Sequence, residues 1–371
     1  MEYKHGGDIY TNEGMLDFSV NVNPFGASES VKTAARESVK FISDYPDSYC
    51  RKLRSALAEK LQQEMDGGCE RQTIEEMLVF GNGAADLIYA LVLAEKPRKA
   101  VLTVPSFLEY EQALQTVDCQ IRYHKLEKKR WFRLQEDYLQ ELTPDVDLIF
   151  LCSPDNPSGQ VIERGLLEQI LKKCEQNHIR MVLDECFYEF LEKPQKAAFA
   201  RTAAKHPQLF LIRAFTKMHA MPGLRLGYGI CADRKLTERM AHIRQPWSVS
   251  VVAQAAGLAA LQEEERTKAI REKLAAERSF LENGLRAAEI EYIPSEANYI
   301  LLKSPVDLYE KLKKYHILIR DCSNYRGLEK GYYRIAVRKR EENEYLLQAL
   351  ITIQSYRSQA KCPMEEEKTW D

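Results

Sequence analysis

The sequence predicts an α/β architecture built on a mostly parallel sheet. Three observations carry this. Short, almost continuously apolar runs recur between residues 75 and 216, as in strands buried on both faces. Amphipathic segments separate them, the alternation expected of parallel strands joined by helices. Several runs end in glycine or proline turns, where a chain leaves a sheet.

Taken in order, "EEMLVFGNG" (75–83) reads as a strand closing in a glycine turn, and "AADLIYALVLAE" (84–95) repeats apolar residues at helical spacing. "KAVLTVPSF" (99–107) is a second strand, stopped by its proline. "VDLIFLCSP" (146–154) is a third, followed by the amphipathic helix "GLLEQILKKCEQN" (165–177). "IRMVLDECF" (179–187) and "LFLIRAFT" (209–216) are the fourth and fifth. After Trp247 the pattern changes. Residues 250–288 read as long helix with a break near the acidic run. Strands follow at "NYILLKS", "ILIRDC" and "YYRIAVR", with helices at "DLYEKLKKYH" and "EENEYLLQALITIQSY". The expected division is an N-terminal segment (1–30) joining a small α+β unit, a large unit (31–247), the small unit itself (248–356), and a loose polar tail (357–371).

Composition narrows the function classes. The 371 residues are 45% hydrophobic and 29% charged, with a net charge of −2, which gives no overall bias toward nucleic acid or anionic membrane. "KLEKKR" (125–130) and "VRKR" (337–340) are short, flanked by acids, and read as solvated faces. Nine cysteines form no CxxC and no zinc-like ladder, so the expectation is reduced thiols, no metal and a cytoplasmic setting. No apolar run approaches a membrane span, and the N-terminus has no apolar leader core.

Ligands in open α/β sheets bind outside the carboxyl ends of the strands. There stand "GNGAAD" (81–86) opening a helix, Phe107 after the second strand, Asn156 in "SPDNPSG", Asp184 in "LDECF", and Lys217 after the fifth. Each alone has a plain structural reading: a tight turn, a rim aromatic, a capping carboxylate. Together they match what pyridoxal 5'-phosphate requires. A lysine amine can hold it as an imine, a carboxylate can keep its pyridine nitrogen protonated, an aromatic can stack on the ring, and helix N–H groups with an arginine can hold the phosphate.

"SPDNPSG", "LDECF" and "TKMHAMPGLRLGYG" resemble the fold-type I pyridoxal-phosphate enzymes, the aspartate-aminotransferase superfamily, in order and spacing over essentially the whole chain. Within it, "DFSVNVNPFG", "YPD", "GNG" and "RDCSN…GL…YYRIAVR" are most similar to histidinol-phosphate aminotransferases and L-threonine-O-3-phosphate decarboxylases. The resemblance implies a seven-stranded, mostly parallel sheet between helices. It implies Lys217 as the cofactor's lysine, Asp184 as the pyridine partner, Asn156 facing the ring oxygen, and Phe107 stacking. It also implies Arg225, Thr216 and the backbone of Gly83, Ala84 and Ala85 on the phosphate. Tyr45 matches a tyrosine that reaches that phosphate from a partner subunit, which implies a homodimer. Arg334 matches the arginine that grips the substrate carboxylate.

Two reactions remain open. Loss of a proton leads to transamination, with Lys217 as general base; loss of carbon dioxide leads to an amine. "HGGDIY", "RQPWSV", "EANYILL", "ILIRDCSNY" and Phe187, where the histidinol-phosphate enzymes usually carry tyrosine, lean toward the decarboxylases. That reading implies an aminopropanol phosphate product, the linker used in cobalamin assembly. Arg334, Arg320, His5 and Asn21 are the candidates for a substrate bearing a carboxylate and a phosphate. Arg320 could instead pair with Asp321 or Glu329, and His5 could simply be exposed. Ala214 stands where the family usually has serine or threonine on the cofactor phosphate, and "AAD" replaces a polar pair after the glycine turn. A non-catalytic binding protein is disfavoured because both Lys217 and Asp184 are present. A dinucleotide-binding dehydrogenase is disfavoured by the absence of a third glycine after "GNG".

Overall fold

The computed structural model describes residues 5–360. The expected loose tail falls mostly outside them; its first residues, 357–360, complete the last helix, Arg340–Ala360.

The chain begins with a two-residue strand, β1 (Leu16–Asp17). A seven-stranded sheet follows, from β2 (Leu78–Gly81), β3 (Lys99–Val104), β4 (Gln120–Lys125), β5 (Leu148–Cys152), β6 (Arg180–Asp184), β7 (Leu209–Ala214) and β8 (Gly227–Ile230). Its spatial order is β2-β8-β7-β6-β5-β3-β4. The run from β7 to β4 is parallel, while β8 lies antiparallel to both β7 and β2. Every residue of β5, β6 and β7 is buried, which is why these strands read as unbroken apolar runs. Alternate residues serve two cores: Met181, Leu183, Leu209 and Leu211 face one helical layer, and Val182, Phe210 and Ile212 face the other.

The second sheet contains β9 (Glu291–Ile293), β10 (Tyr299–Lys303), β12 (Arg320–Asp321) and β13 (Tyr332–Ala336); β11 (Ile317–Leu318) pairs in parallel with β1. The single strand expected from "ILIRDC" is thus two. Leu318 pairs with Asp17 and Arg320 with Arg334, so the chain changes sheets at Ile319. Helix Glu264–Ala287 and the last helix pack on this sheet through Leu274, Leu281, Leu285, Leu346 and Leu350.

Helix Val251–Leu261 packs chiefly with the large unit. Its Ala253, Ala256 and Ala260 belong to the same core as Leu53, Leu57 and Leu211, and it lies along helix Glu29–Ser38. We therefore propose that the division between units falls at the break around Glu263 rather than at 247. The basic runs are paired with acids, Lys128 with Glu291 and Arg338 with Glu342. No helix among the described residues is long and apolar enough to cross a membrane.

Candidate active site

Asp184 closes β6 and is buried. Its Oδ2 accepts from the Tyr110 hydroxyl at 2.7 Å, and its Oδ1 from the Cys186 N–H at 2.8 Å. Tyr110 is held in turn. It stacks on Phe150 with ring centroids 4.7 Å apart, and Phe107 meets it edge-on at 5.5 Å. Two donors and a fixed ring keep a carboxylate ordered where the sheet would otherwise reject it.

Lys217 lies in the turn after β7 and is half-buried. Its carbonyl accepts the Asn23 N–H at 3.1 Å, while Asn23 Nδ2 donates to the Met218 carbonyl at 2.9 Å, so the N-terminal segment braces the turn. Desolvation by burial lowers its pKa below the ordinary lysine value, and the positive charges of Arg334 and Arg225 act in the same direction. The Phe187 ring lies 5.8 Å from Nζ and packs edge-on against Tyr299 at 5.0 Å. Thr216, beside the lysine, is buried.

Asn156 and Arg334 meet directly. The Asn156 Oδ1 accepts from Arg334 Nη1, and Arg334 Nη2 donates to the Ser19 carbonyl at 3.0 Å. Arg334 is buried, and its Nε has no partner among the described residues. Across the strand pair it stands opposite Arg320, also buried. Two guanidinium residues in direct register repel each other unless an anion is shared. Arg320 donates to the Asp321 carbonyl at 2.6 Å and to Asn324 Oδ1 at 2.9 Å. The carboxylates weighed for it from sequence are engaged elsewhere: Asp321 receives Ser323, and Glu329 receives Lys303.

The glycine turn opens helix Gly83–Glu95, whose N-cap, Asn82, makes no side-chain cap. Gly83 has φ +81°, and a Cβ there would lie 2.4 Å from Arg225 Nη2. Arg225 is exposed and has φ +59°. A guanidinium thus sits beside Gly83 at the start of a helix, whose first N–H groups, Ala84 and Ala85 among them, lack intrahelical partners, an arrangement suited to a phosphate. Asn21 is buried with Oδ1 unpaired among the described residues. Tyr45 lies apart from these contacts, 78% exposed and stacked on Trp247 at 4.4 Å. His5 Nδ1 lies 3.3 Å from Glu109 Oε1. Sequence reasoning missed Tyr110 and Glu109. The signal available was position, since both fall in the first turn of the helix that starts just after Phe107.

A lysine turn, a buried carboxylate and an arginine-backed helix start, gathered at one rim of this mixed sheet, define the fold-type I aminotransferase architecture. The chain belongs to the aminotransferase class I and II family, whose model matches residues 13–350. It is 36% identical over 358 residues to a threonine-phosphate decarboxylase of Salmonella typhimurium, covering 93% of this chain and 95% of the relative. It is 31% identical to a histidinol-phosphate aminotransferase of Archaeoglobus fulgidus, covering 92% and 94%. Among solved structures it superposes on the histidinol-phosphate aminotransferase of Clostridium acetobutylicum with a TM-score of 0.83 at 26% identity, covering 92% of this chain and all of the other.

Enzymes of this family normally bind pyridoxal phosphate. The residues here fit that group on their own chemistry. Gly83 leaves the space that a Cβ would take from Arg225, Asn82 leaves the helix start without a side-chain cap, and Asp184 and the half-buried Lys217 supply a carboxylate and an amine at the same rim.

Proposed function

We propose that this protein decarboxylates L-threonine O-3-phosphate, or a close phosphoamino acid, to an aminoalkanol phosphate of the kind used in cobalamin biosynthesis. Pyridoxal 5'-phosphate would be held by Lys217, by Asp184 and Asn156, by Phe107 and Thr216, and at its phosphate by Gly83, Ala84, Ala85 and Arg225. Bound there, the cofactor supplies an electron sink for the bond that breaks at the substrate's α-carbon. Asp184 presents at the rim a carboxyl group oriented by the Tyr110 hydroxyl and the Cys186 N–H. Lys217, with its ammonium disfavoured by burial, is the group placed to take up or return a proton.

The observation that carries the substrate reading is the buried pair Arg320 and Arg334 in direct register. Two cations on one face suit a ligand with two anions. Arg334, tied to Asn156 close to Lys217, takes the carboxylate, and Arg320 the phosphate. The likeness to threonine-phosphate decarboxylases at 36% and 38% identity supports the reaction. Phe187 beside Lys217 agrees with it, since it offers no hydroxyl. The second reading, a histidinol-phosphate-type aminotransferase, is favoured by the 0.83 superposition. The exposed Tyr45 suits a homodimer in which it reaches the partner's phosphate site. The cysteine usage suits a cytoplasmic setting.

The deciding experiment supplies O-phospho-L-threonine to the cofactor-loaded protein without an amino acceptor. Carbon dioxide and an equimolar amine are expected. Turnover that appears only with 2-oxoglutarate, leaving a keto acid, would establish the aminotransferase instead.

A further inference from the structure

The N-terminal segment is seated with more care than an exposed end requires. Gly7 N–H donates to Ser19 Oγ at 2.7 Å. A Cβ on Gly6 would lie 2.4 Å from the Ser19 carbonyl oxygen, so only glycine lies flat there. That carbonyl is the acceptor for Arg334 Nη2. The segment 5–8 lines a cavity of about 590 Å³ together with Arg320 and Asn324.

At the end of this segment His5 meets Glu109. The Glu109 side chain is only 14% exposed, and its Oε2 is buried without a hydrogen-bond partner among the described residues. Burial pushes its carboxyl above the ordinary range; the charge of His5 opposes this most, with smaller contributions from its own backbone N–H, Arg320 and Lys217. A carboxylate so placed costs stability unless another group needs it. The two nitrogens of an imidazole face away from each other, so a ring held at Nδ1 presents Nε2 in a fixed direction.

We propose that Glu109 is a positioning residue: its carboxylate latches His5, and the Gly6–Gly7 strap behind it, over the cavity beside Arg320, where the substrate's phosphate binds. With Glu109 on Nδ1, the ring's Nε2 is left to face a phosphate oxygen. Arg320 supplies a cation. The inference rests on the substrate reading above only through the phosphate, which both candidate reactions share.

The test uses phosphoethanolamine and ethanolamine as probes, because neither has a carboxylate to lose or to engage Arg334. Binding of each to the cofactor-loaded enzyme is measured by calorimetry. Glu109→Gln and His5→Gln should each weaken phosphoethanolamine about tenfold, a 1.4 kcal/mol change, and leave ethanolamine unchanged. The double variant should be no weaker than either single one, since Glu109 acts through His5. Gly6→Ala, which changes no charge but crowds the Ser19 carbonyl behind the strap, should cause the same selective loss. Glu109→Gln with an intact phosphate preference, or additive losses in the double variant, would overturn the latch. A wild type that binds both probes alike would overturn the phosphate reading and the latch with it, whatever the carbon dioxide assay shows.

Discussion

Asp184 and Glu185 are chain neighbours on opposite faces of one strand end, and their partners differ accordingly. Asp184 faces the rim and takes the Tyr110 hydroxyl. Glu185 faces the other layer, where it accepts from Arg213 Nε at 2.8 Å and from the Phe199 N–H at 2.9 Å. Arg213 then forks onto Glu64 with bonds of 2.9 and 2.7 Å. Of the two carboxylates, only Asp184 faces the rim proposed for the cofactor. Asp184→Asn should therefore retain bound cofactor, seen as visible absorbance, while turnover falls by about a hundredfold or more, the scale of a lost proton-stabilising group. Near-normal turnover would contradict its role. Lys217, Asp184 and Asn156 stand out in the sequence because a charged or amide residue at or just past the end of an apolar run is unusual, whereas Arg334, inside "YYRIAVR", stands out only by the family resemblance. Tyr110 and Glu109 do not, because an ordinary helix turn carries them and only the fold turns that helix toward the rim.

At the scale of elements, the strands missed from sequence have physical explanations. β4, "QIRYHK", is an edge strand with partial exposure, so it carries polar residues and lacks the apolar signature. β8, "GYGI", is short and glycine-rich, and small residues are needed there: a Cβ on Gly227 would lie 2.8 Å from the Ala84 nitrogen, and one on Gly229 2.5 Å from the Phe210 ring. The same crowding governs the helix start. Gly83→Ala combines a positive φ with a contact of 2.4 Å against Arg225, so it must displace the guanidinium. Cofactor affinity should fall about tenfold or more, measured by equilibrium dialysis, while the unfolding midpoint shifts little. Unchanged affinity would show that the helix start is not the phosphate's seat.

For the molecule as a whole, the turn Ser153–Gln160 is one of the places where the large sheet is tied to the second one. Tyr299 donates its hydroxyl to the Asp155 carbonyl at 2.7 Å, and the Glu296 N–H reaches the Gly159 carbonyl at 3.0 Å. The Asp155 carboxylate inside this turn accepts from Ser158 N–H and Oγ, yet burial pushes it up to about 7. In the unfolded chain it titrates in the ordinary aspartate range, so between the two values the folded state holds the extra proton. Its stabilising contribution is complete at acid pH and is lost as pH rises through about 7. Urea unfolding should thus show a decline in stability from about pH 4 to about pH 7 that Asp155→Asn reduces. An unaltered slope would exclude Asp155 as its source.

The chain is also divided by position along its length. The candidate cofactor residues other than Tyr45 all come from 83–225, whereas His5, Asn21, Arg320 and Arg334 come from the two ends, which β1 and β11 stitch together. Arg338 Nη1 reinforces that seam by donating to the Asp17 carbonyl at 2.7 Å. For laboratory evolution this separation amounts to a natural modularity. Codon libraries confined to the seam would vary the residues proposed to choose the small molecule, while those proposed to hold the cofactor are inherited unchanged.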